Sequence, residues 1–178
     1  MAHAPRRNKL VPASISRQAR GVDVAPLNDD EELVWRNLMQ LVFNLPRDLG
    51  DDLQRSCGLS STEYSVLMHL SEAPDGQLYM SELASRTNLS PSRITRVIDD
   101  MARIGLVERR PGSLDARTTF AALTKAGLAS LRRAWPHHLR SVRRRAFDHL
   151  TAEDVRLLGP ILQRLADAGD TPEPTTGR

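Results

Sequence analysis

Asp115 and Arg117 stand two residues apart in the stretch PGSLDARTTFAALT (111–124), where Pro111 and Gly112 begin a turn and β-prone residues follow. An arginine at the tip of such a hairpin suits a narrow groove of negative potential, such as the minor groove of DNA. An aspartate at this spacing can hold the guanidinium by a forked hydrogen bond and limit the entropy lost on binding. The alternative is a plain ion pair in a surface turn, worth about 0–1 kcal/mol. A second group precedes it. In SPSRITR (90–96) the side chains of Arg93, Thr95 and Arg96 are candidates for base contact, because arginine is the commonest reader of guanine edges. Ser90 and Ser92, at the start of the same helix, suit phosphate oxygens. Arg109 and Arg110 are candidates for the nucleic-acid backbone. For each arginine the competing reading is a solvated surface residue.

Other chemistries find less support. The single cysteine, Cys57, cannot close an intramolecular disulfide, which suits a reducing compartment, and it is expected to be an inert thiol rather than a redox sensor. Cys57, His69, His137, His138, His149 and Glu153 are the available metal ligands. No pair of them has the i, i+4 histidine spacing of a helical zinc site, so neither a metal nor a cofactor is assigned. There is no glycine-rich phosphate loop, nucleophile elbow or paired-carboxylate cleft, and an enzyme is not expected. The net charge of +3 is unevenly placed: residues 1–22 hold five cations and no acid, and 125–150 hold Lys125 and six arginines against Asp148. Clustered arginine points to a polyanionic partner.

These groups need elements to position them. Residues 1–27, with three prolines and no apolar period, read as a flexible basic arm. Residues 28–58 read as N-terminal helices that begin at the acidic run Asp29–Glu32. Their apolar stripes are Leu33, Val34, Leu38, Leu41, Val42 and Leu45, and Trp35, Met39 and Phe43. Pro46 is expected to end or kink the first helix, leaving Asp51–Cys57 as a separate short one closed by Gly58. Residues 59–123 read as a lobe opened by a Ser60/Glu63 capping box, with a turn at 73–76 and a short strand in QLYM. A short helix around Leu83 and Ala84, a turn at Asn88–Ser90 and a second helix with Pro91 first then form a helix-turn-helix. That second helix is expected to bury Ile94, Val97, Ile98, Met101 and Ile104 and to end at Gly105. Strands at 106–110 and 118–123 make a wing. Residues 124–168 read as two further helices, the first kinked at Pro136. Leu128, Leu131, Trp135, Leu139, Val142, Ala146 and Leu150 form the stripe of the first; Val155, Leu158, Ile161, Leu162 and Leu165 form that of the second, which Thr151 caps. A second chain is expected to cover these stripes. Residues 169–178 read as a disordered tail. The run Arg143–Arg145 has two readings: ion pairs across a dimer with acids such as Asp29–Glu32, or contact with DNA.

Taken in order, these elements resemble the MarR family of winged helix-turn-helix transcriptional regulators. The resemblance covers about residues 30–168. It rests on Asp115-Ala116-Arg117-Thr118 followed by Leu123-Thr124-Lys125-Ala126-Gly127, and on RVIDDMARIGLVERR (96–110). It implies a mainly α fold with a small β-hairpin wing, the winged lobe being joined to a helical dimerisation domain. It also implies a homodimer on double-stranded DNA at a pseudopalindromic operator, with the recognition helix in the major groove and Arg117, oriented by Asp115, in the minor groove. Repression relieved by a small, often aromatic, effector is the family's default. Trp35, Met39, Phe43, Tyr64, Met68 and His69 are the candidates to line its cleft, with plain core packing as the alternative. A zinc-responsive regulator of the same fold and a winged helix used for protein contacts are the competing functions. No apolar run approaches the roughly 20 residues of a membrane span, and a cytoplasmic protein is expected.

Overall fold

The computed structural model describes residues 25–111 and 119–169. Six α-helices and three strands follow one another: α1 (Asp29–Cys57), α2 (Ser61–Glu72), β1 (Gln77–Tyr79), α3 (Met80–Arg86), α4 (Pro91–Arg103), β2 (Val107–Pro111), β3 (Thr119–Leu123), α5 (Lys125–Arg145) and α6 (Ala152–Gly169). Single 3-10 turns lie at Pro74–Gly76 and Phe147–His149. The chain divides into two compact units, one reaching Asn44 and the other starting at Leu45.

Helix starts follow local capping chemistry. The Asn28 Oδ1 accepts from the backbone N–H of Asp30 and Glu31 at 3.0 and 2.9 Å, and the Glu31 carboxylate accepts from the Asn28 N–H. Ser60 and Glu63 form the expected reciprocal capping box. Thr151 and Asp154 form a similar pair at α6. Helix α1 runs through Pro46 as 29 continuous residues, so Asp51–Cys57 is its last part rather than a separate helix. A proline removes one ladder donor; the helical hydrogen bonding on both sides of Pro46 continues past that loss.

The core belongs to the second unit. Val66, Leu67 and Leu70 of α2, Leu83 of α3, Ile94, Ile98 and Met101 of α4, and Val107 of β2 are fully buried. Against them lies an antiparallel sheet in the order β1-β3-β2, with Leu78 opposite Ala121 and Val107 opposite Leu123. Ile104, expected inside, is 62% exposed, because it is the C-cap of α4 and has left the helical period. Gly105 follows at φ +77°, a region glycine enters freely. The face of α5 that its own chain buries carries Gly127, Ser130, Leu131, Ala134 and Ser141, while Trp135 and Leu139, on the stripe expected to meet a second chain, stay exposed. Small residues let α5 approach α2 closely. Helix α5 ends at Arg145, earlier than position 150.

Where β2 and β3 meet α5, backbone and side chain lock together. The Thr124 hydroxyl donates to the Gly105 and Leu106 carbonyls (2.7 and 3.0 Å) and accepts from the Gly127 N–H at 3.0 Å. A Cβ on Gly127 would stand 2.1 Å from the Leu106 carbonyl oxygen.

The C-terminal end of α1 is clasped to α5 by charge. Asp52 accepts from Arg145 Nε at 2.8 Å and Arg144 Nη2 at 2.9 Å, and from the Ser141 hydroxyl. Asp48 accepts from Arg145 Nη1 at 3.1 Å. Arg144 and Arg145 thus pair with acids of their own chain, Asp48 and Asp52. The Arg145 guanidinium, aided by Ser141, holds the Asp52 carboxyl well below the usual carboxylate range. Because its folded-state value is depressed, Asp52 contributes its full stability above about pH 4, the ordinary aspartate value, and loses it as pH falls below that. Asp52→Asn is therefore expected to lower stability at pH 7 by about 1.5–3 kcal/mol, the worth of hydrogen bonds to a charged group. It should also flatten the fall between pH 4 and 2, as read by urea unfolding across that range.

Candidate nucleic-acid interface

Helix α4 presents the interface. Ser90 is its N-cap, accepting from the Arg93 N–H at 3.4 Å, and Pro91 opens the first turn. Asn88 enters the preceding turn with φ +52°. Ile94, Ile98 and Met101 anchor the inner face at 1% exposure or less. That burial aims the opposite face, with Ser92, Arg93 and Arg96, at solvent.

The arginines of the lobe divide into two groups. Arg86 pairs with Glu82 (2.7 Å), Arg103 with Asp100 (2.9 Å), and Arg110 with Glu108 through Nε (2.9 Å). Arg93 and Arg96, three residues apart on one helix face, have no carboxylate partner among the described residues. Asp99, three residues after Arg96, would be its natural neutraliser. Instead Arg109 of β2 reaches across and donates from Nη1 to the Asp99 carboxylate at 2.5 Å. This tie leaves Arg96 uncompensated, and it also cancels an acid that would repel phosphate. Arg109, expected as a backbone contact, is thus first of all a strut between strand and helix. The Thr95 hydroxyl donates to the Pro91 carbonyl at 2.8 Å, so toward a partner it offers lone pairs only. Ser90 and Ser92 are exposed, their hydroxyls 3.3 Å apart. Asp115 and Arg117 lie outside the described residues.

The cleft candidates divide between the two units. Trp35, Met39 and Phe43 are on α1 before Asn44, with Trp35 and Phe43 exposed. Tyr64 is buried, and its ring lies 4.5 Å from that of His138 on α5. The Tyr64 hydroxyl and His138 Nδ1 are buried without a hydrogen-bond partner, and burial pushes the His138 pKa down, favouring the neutral ring. Met68 lines a surface shelf of about 260 Å³ with Leu131 and Trp135, and Glu72 and Arg132 at its edge. His69 is half-buried. Cys57 is half-buried as well. Among the described residues, no three His, Cys, Asp or Glu side chains gather around a common point that would hold a metal ion. No described helix is long and apolar enough to cross a membrane.

The parts played by Asp99 and Gly127 depend on neighbours that the sequence alone does not place beside them. Asp99 reads as one of two diverging helix acids, and its partner lies ten residues on in another element. Gly127 falls in the Leu-Thr-x-x-Gly junction, whose reason is visible only when the Leu106 carbonyl is placed beside it.

Residues 58–118 match a family model described as the MarR family. Among curated proteins, the chain is 34% identical over 112 residues to the HTH-type transcriptional repressor YetL of Bacillus subtilis, covering 61% of this chain and 67% of that one. Among solved structures it resembles AbsC, a MarR family transcriptional regulator from Streptomyces coelicolor, at 36% identity and a TM-score of 0.75, covering 82% of this chain and 97% of AbsC. Sco3205, a MarR family regulator of the same organism solved in complex with DNA, is similar at 33% identity and a TM-score of 0.78, covering 86% of this chain and 96% of that chain. With its helix-turn-helix, its three-stranded winged sheet and these relatives, the chain belongs to the MarR family of transcriptional regulators, which are DNA-binding proteins and not enzymes.

Proposed function

We propose that this protein is a homodimeric repressor of a pseudopalindromic operator, with α4 in the major groove and the wing in the minor groove. The observation that carries the reading is the uncompensated Arg93/Arg96 pair on the outward face of a helix anchored by Ile94, Ile98 and Met101. Arginine bidentate to guanine is worth about 1–3 kcal/mol against a wrong base. Ser90 and Ser92 at the helix start contact phosphate, and Thr95 accepts from a base amino group. Arg117 enters the minor groove, oriented by Asp115. Sco3205, solved on DNA, supports the assignment of this lobe to DNA.

Exposed apolar side chains support a dimer. Leu33, Val34, Leu41 and Val42 on α1 are each more than half exposed, and so are Leu162 and Leu165 on α6. Leu139, Val142, Phe147 and Val155 line an open apolar groove of about 370 Å³ where α5 turns into α6. Apolar surfaces of this extent mark contact sites, and a two-fold dimer would cover the same patch on both chains. The effector is a small aromatic molecule with a polar substituent. Tyr64 and His138, whose polar atoms lack hydrogen-bond partners, are candidates to meet it in the second unit together with Met68 and His69 of α2; Trp35, Met39 and Phe43 are the candidates that the first unit holds. Residues 28–58 and 124–168 form the dimerisation part, and 59–123 the DNA-binding lobe.

Selection of bound duplexes from a random pool at near-physiological salt tests the reading. The expected product is a two-fold symmetric motif whose half-sites lie about 34 Å, one DNA turn, apart. Arg117→Ala should weaken binding to that motif more than tenfold while light scattering still reports a dimer. A sequence-blind, salt-sensitive product would favour an architectural role, and no duplex binding at all would favour a winged helix used for protein contacts.

A further inference from the structure

A second polar site lies within the same unit, away from the aromatic shelf. A basin of about 480 Å³ opens between the C-terminal end of α1 and the C-terminal half of α5, lined by Arg55, Arg140, Arg144 and Arg145 around Asp52. Three of these guanidiniums converge on the one carboxylate: Arg55 at 2.5 Å, Arg144 at 2.9 Å and Arg145 at 2.8 Å. Arg145 also reaches Asp48. Arg140 meets no carboxylate among the described residues, and its Nη2 lies 3.4 Å from His137 Nδ1. Four cations therefore face three acids, Asp48, Asp51 and Asp52, a surplus of one positive charge. The negative ends of α1 and α5 offset part of this, so the attraction for an anion rests on spare N–H donors as much as on charge. Each guanidinium carries five N–H donors, and these contacts use at most two of them. Crowded cations with spare donors in a concave, polar setting attract a counter-ion able to accept several hydrogen bonds at once.

On the proposed reading the operator lies at α4 and the wing, away from the basin. From Gly127, beside the wing base, to Arg144 the helix advances about 25 Å at 1.5 Å per residue. The basin is thus well down α5 from the junction with the wing.

We infer that the basin binds a small oxyanion of two or more charges, a phosphate ester or a di- or tricarboxylate. Arg140 and Arg55 make the first contacts, because neither holds the clasp between α1 and α5 alone. Arg144 follows by turning spare donors from Asp52 toward the ligand. Guanidinium forks match both ligand chemistries bidentately.

Calorimetric titration of the full chain without DNA tests this, at pH 7.5 and constant ionic strength held with sodium chloride. One arm uses inorganic pyrophosphate and the other propane-1,2,3-tricarboxylate. Saturable binding of one equivalent per chain in either arm is expected, and the arm that binds identifies the source as phosphate or carboxylate. An Arg55→Gln/Arg140→Gln variant should bind at least tenfold more weakly. Arg164→Gln, at an exposed arginine of α6 outside the basin, should bind as the parent does. Circular dichroism and the unfolding midpoint establish that each variant is folded, and a parallel Arg140→Lys variant, which keeps the charge but loses the fork, should fall between. No saturable binding in either arm overturns the inference, as does an equal loss from Arg164→Gln or an unchanged affinity in the double variant.

Discussion

Gly127→Ala will lower the stability of the protein by about 3 kcal/mol or more, read as a fall in the urea midpoint with an unchanged slope. Alanine favours a helix over glycine by about 1 kcal/mol, so propensity alone predicts a gain at this position in α5. Packing reverses the sign. The added methyl would sit 2.1 Å from the Leu106 carbonyl oxygen and 2.9 Å from Leu123 Cδ1. The first of these is main chain and cannot rotate aside. Nor is it free to retreat, since that carbonyl also accepts from the Thr124 hydroxyl and N–H. Gly105→Ala provides the contrast. Nothing stands within 4 Å of its Cβ, so its cost is conformational only, from φ +77°, and amounts to about 1–2 kcal/mol. A Gly127→Ala protein as stable as the parent would mean that α5 can slide against the wing base.

Arg93→Ala and Arg96→Ala are each expected to cost about 1–3 kcal/mol in operator affinity, and the double variant 100-fold or more. The losses arise because neither guanidinium has an internal partner to leave behind, so the whole effect appears in the complex. For Arg96→Ala the selected motif should degenerate at one position in each half-site; a loss spread evenly over all sequences would make it a phosphate contact. Asp99→Ala works in the opposite sense on Arg109, which it would release to compete for phosphate. Stability should barely respond to any of the three, as these side chains are exposed and such ion pairs are worth about 0–1 kcal/mol. Fluorescence anisotropy with the selected operator, beside urea unfolding, separates the two effects.

What is legible in the sequence is mostly what acts over three or four residues. The Ser60/Glu63 box, Ser90 with Pro91, and Thr124 and Thr151 as caps all follow from side chains reaching backbone N–H groups one turn on. The winged lobe follows too, because its helix period and its Gly and Pro breaks agree with one another. Pro46 misleads where it is read as the end of a helix, because breaker rules weigh one missing donor without the helical bonds on either side. The inward face of α5 is illegible for another reason. Periodicity marks the apolar stripe with Trp135 and Leu139, but the small residues Gly127, Ser130, Ala134 and Ser141 that face the chain's own core give little apolar signal. The Arg109–Asp99 strut and the Asp52 clasp join residues 10 and about 90 positions apart, beyond any local rule.

The Arg109–Asp99 strut also limits how a signal can travel. Together with the Thr124 lock and the continuous β1-β3-β2 sheet, it couples α4 to the base of the wing. Bending one against the other would break the Arg109–Asp99 bond and the Thr124 contacts in the same motion. In the proposed complex each lobe is then a fixed ruler for its half-site, and an effector has only the pose of the whole lobe to change. Induction would be a matter of spacing between two intact readers, and operators with altered spacer length, rather than altered half-sites, would imitate the induced state.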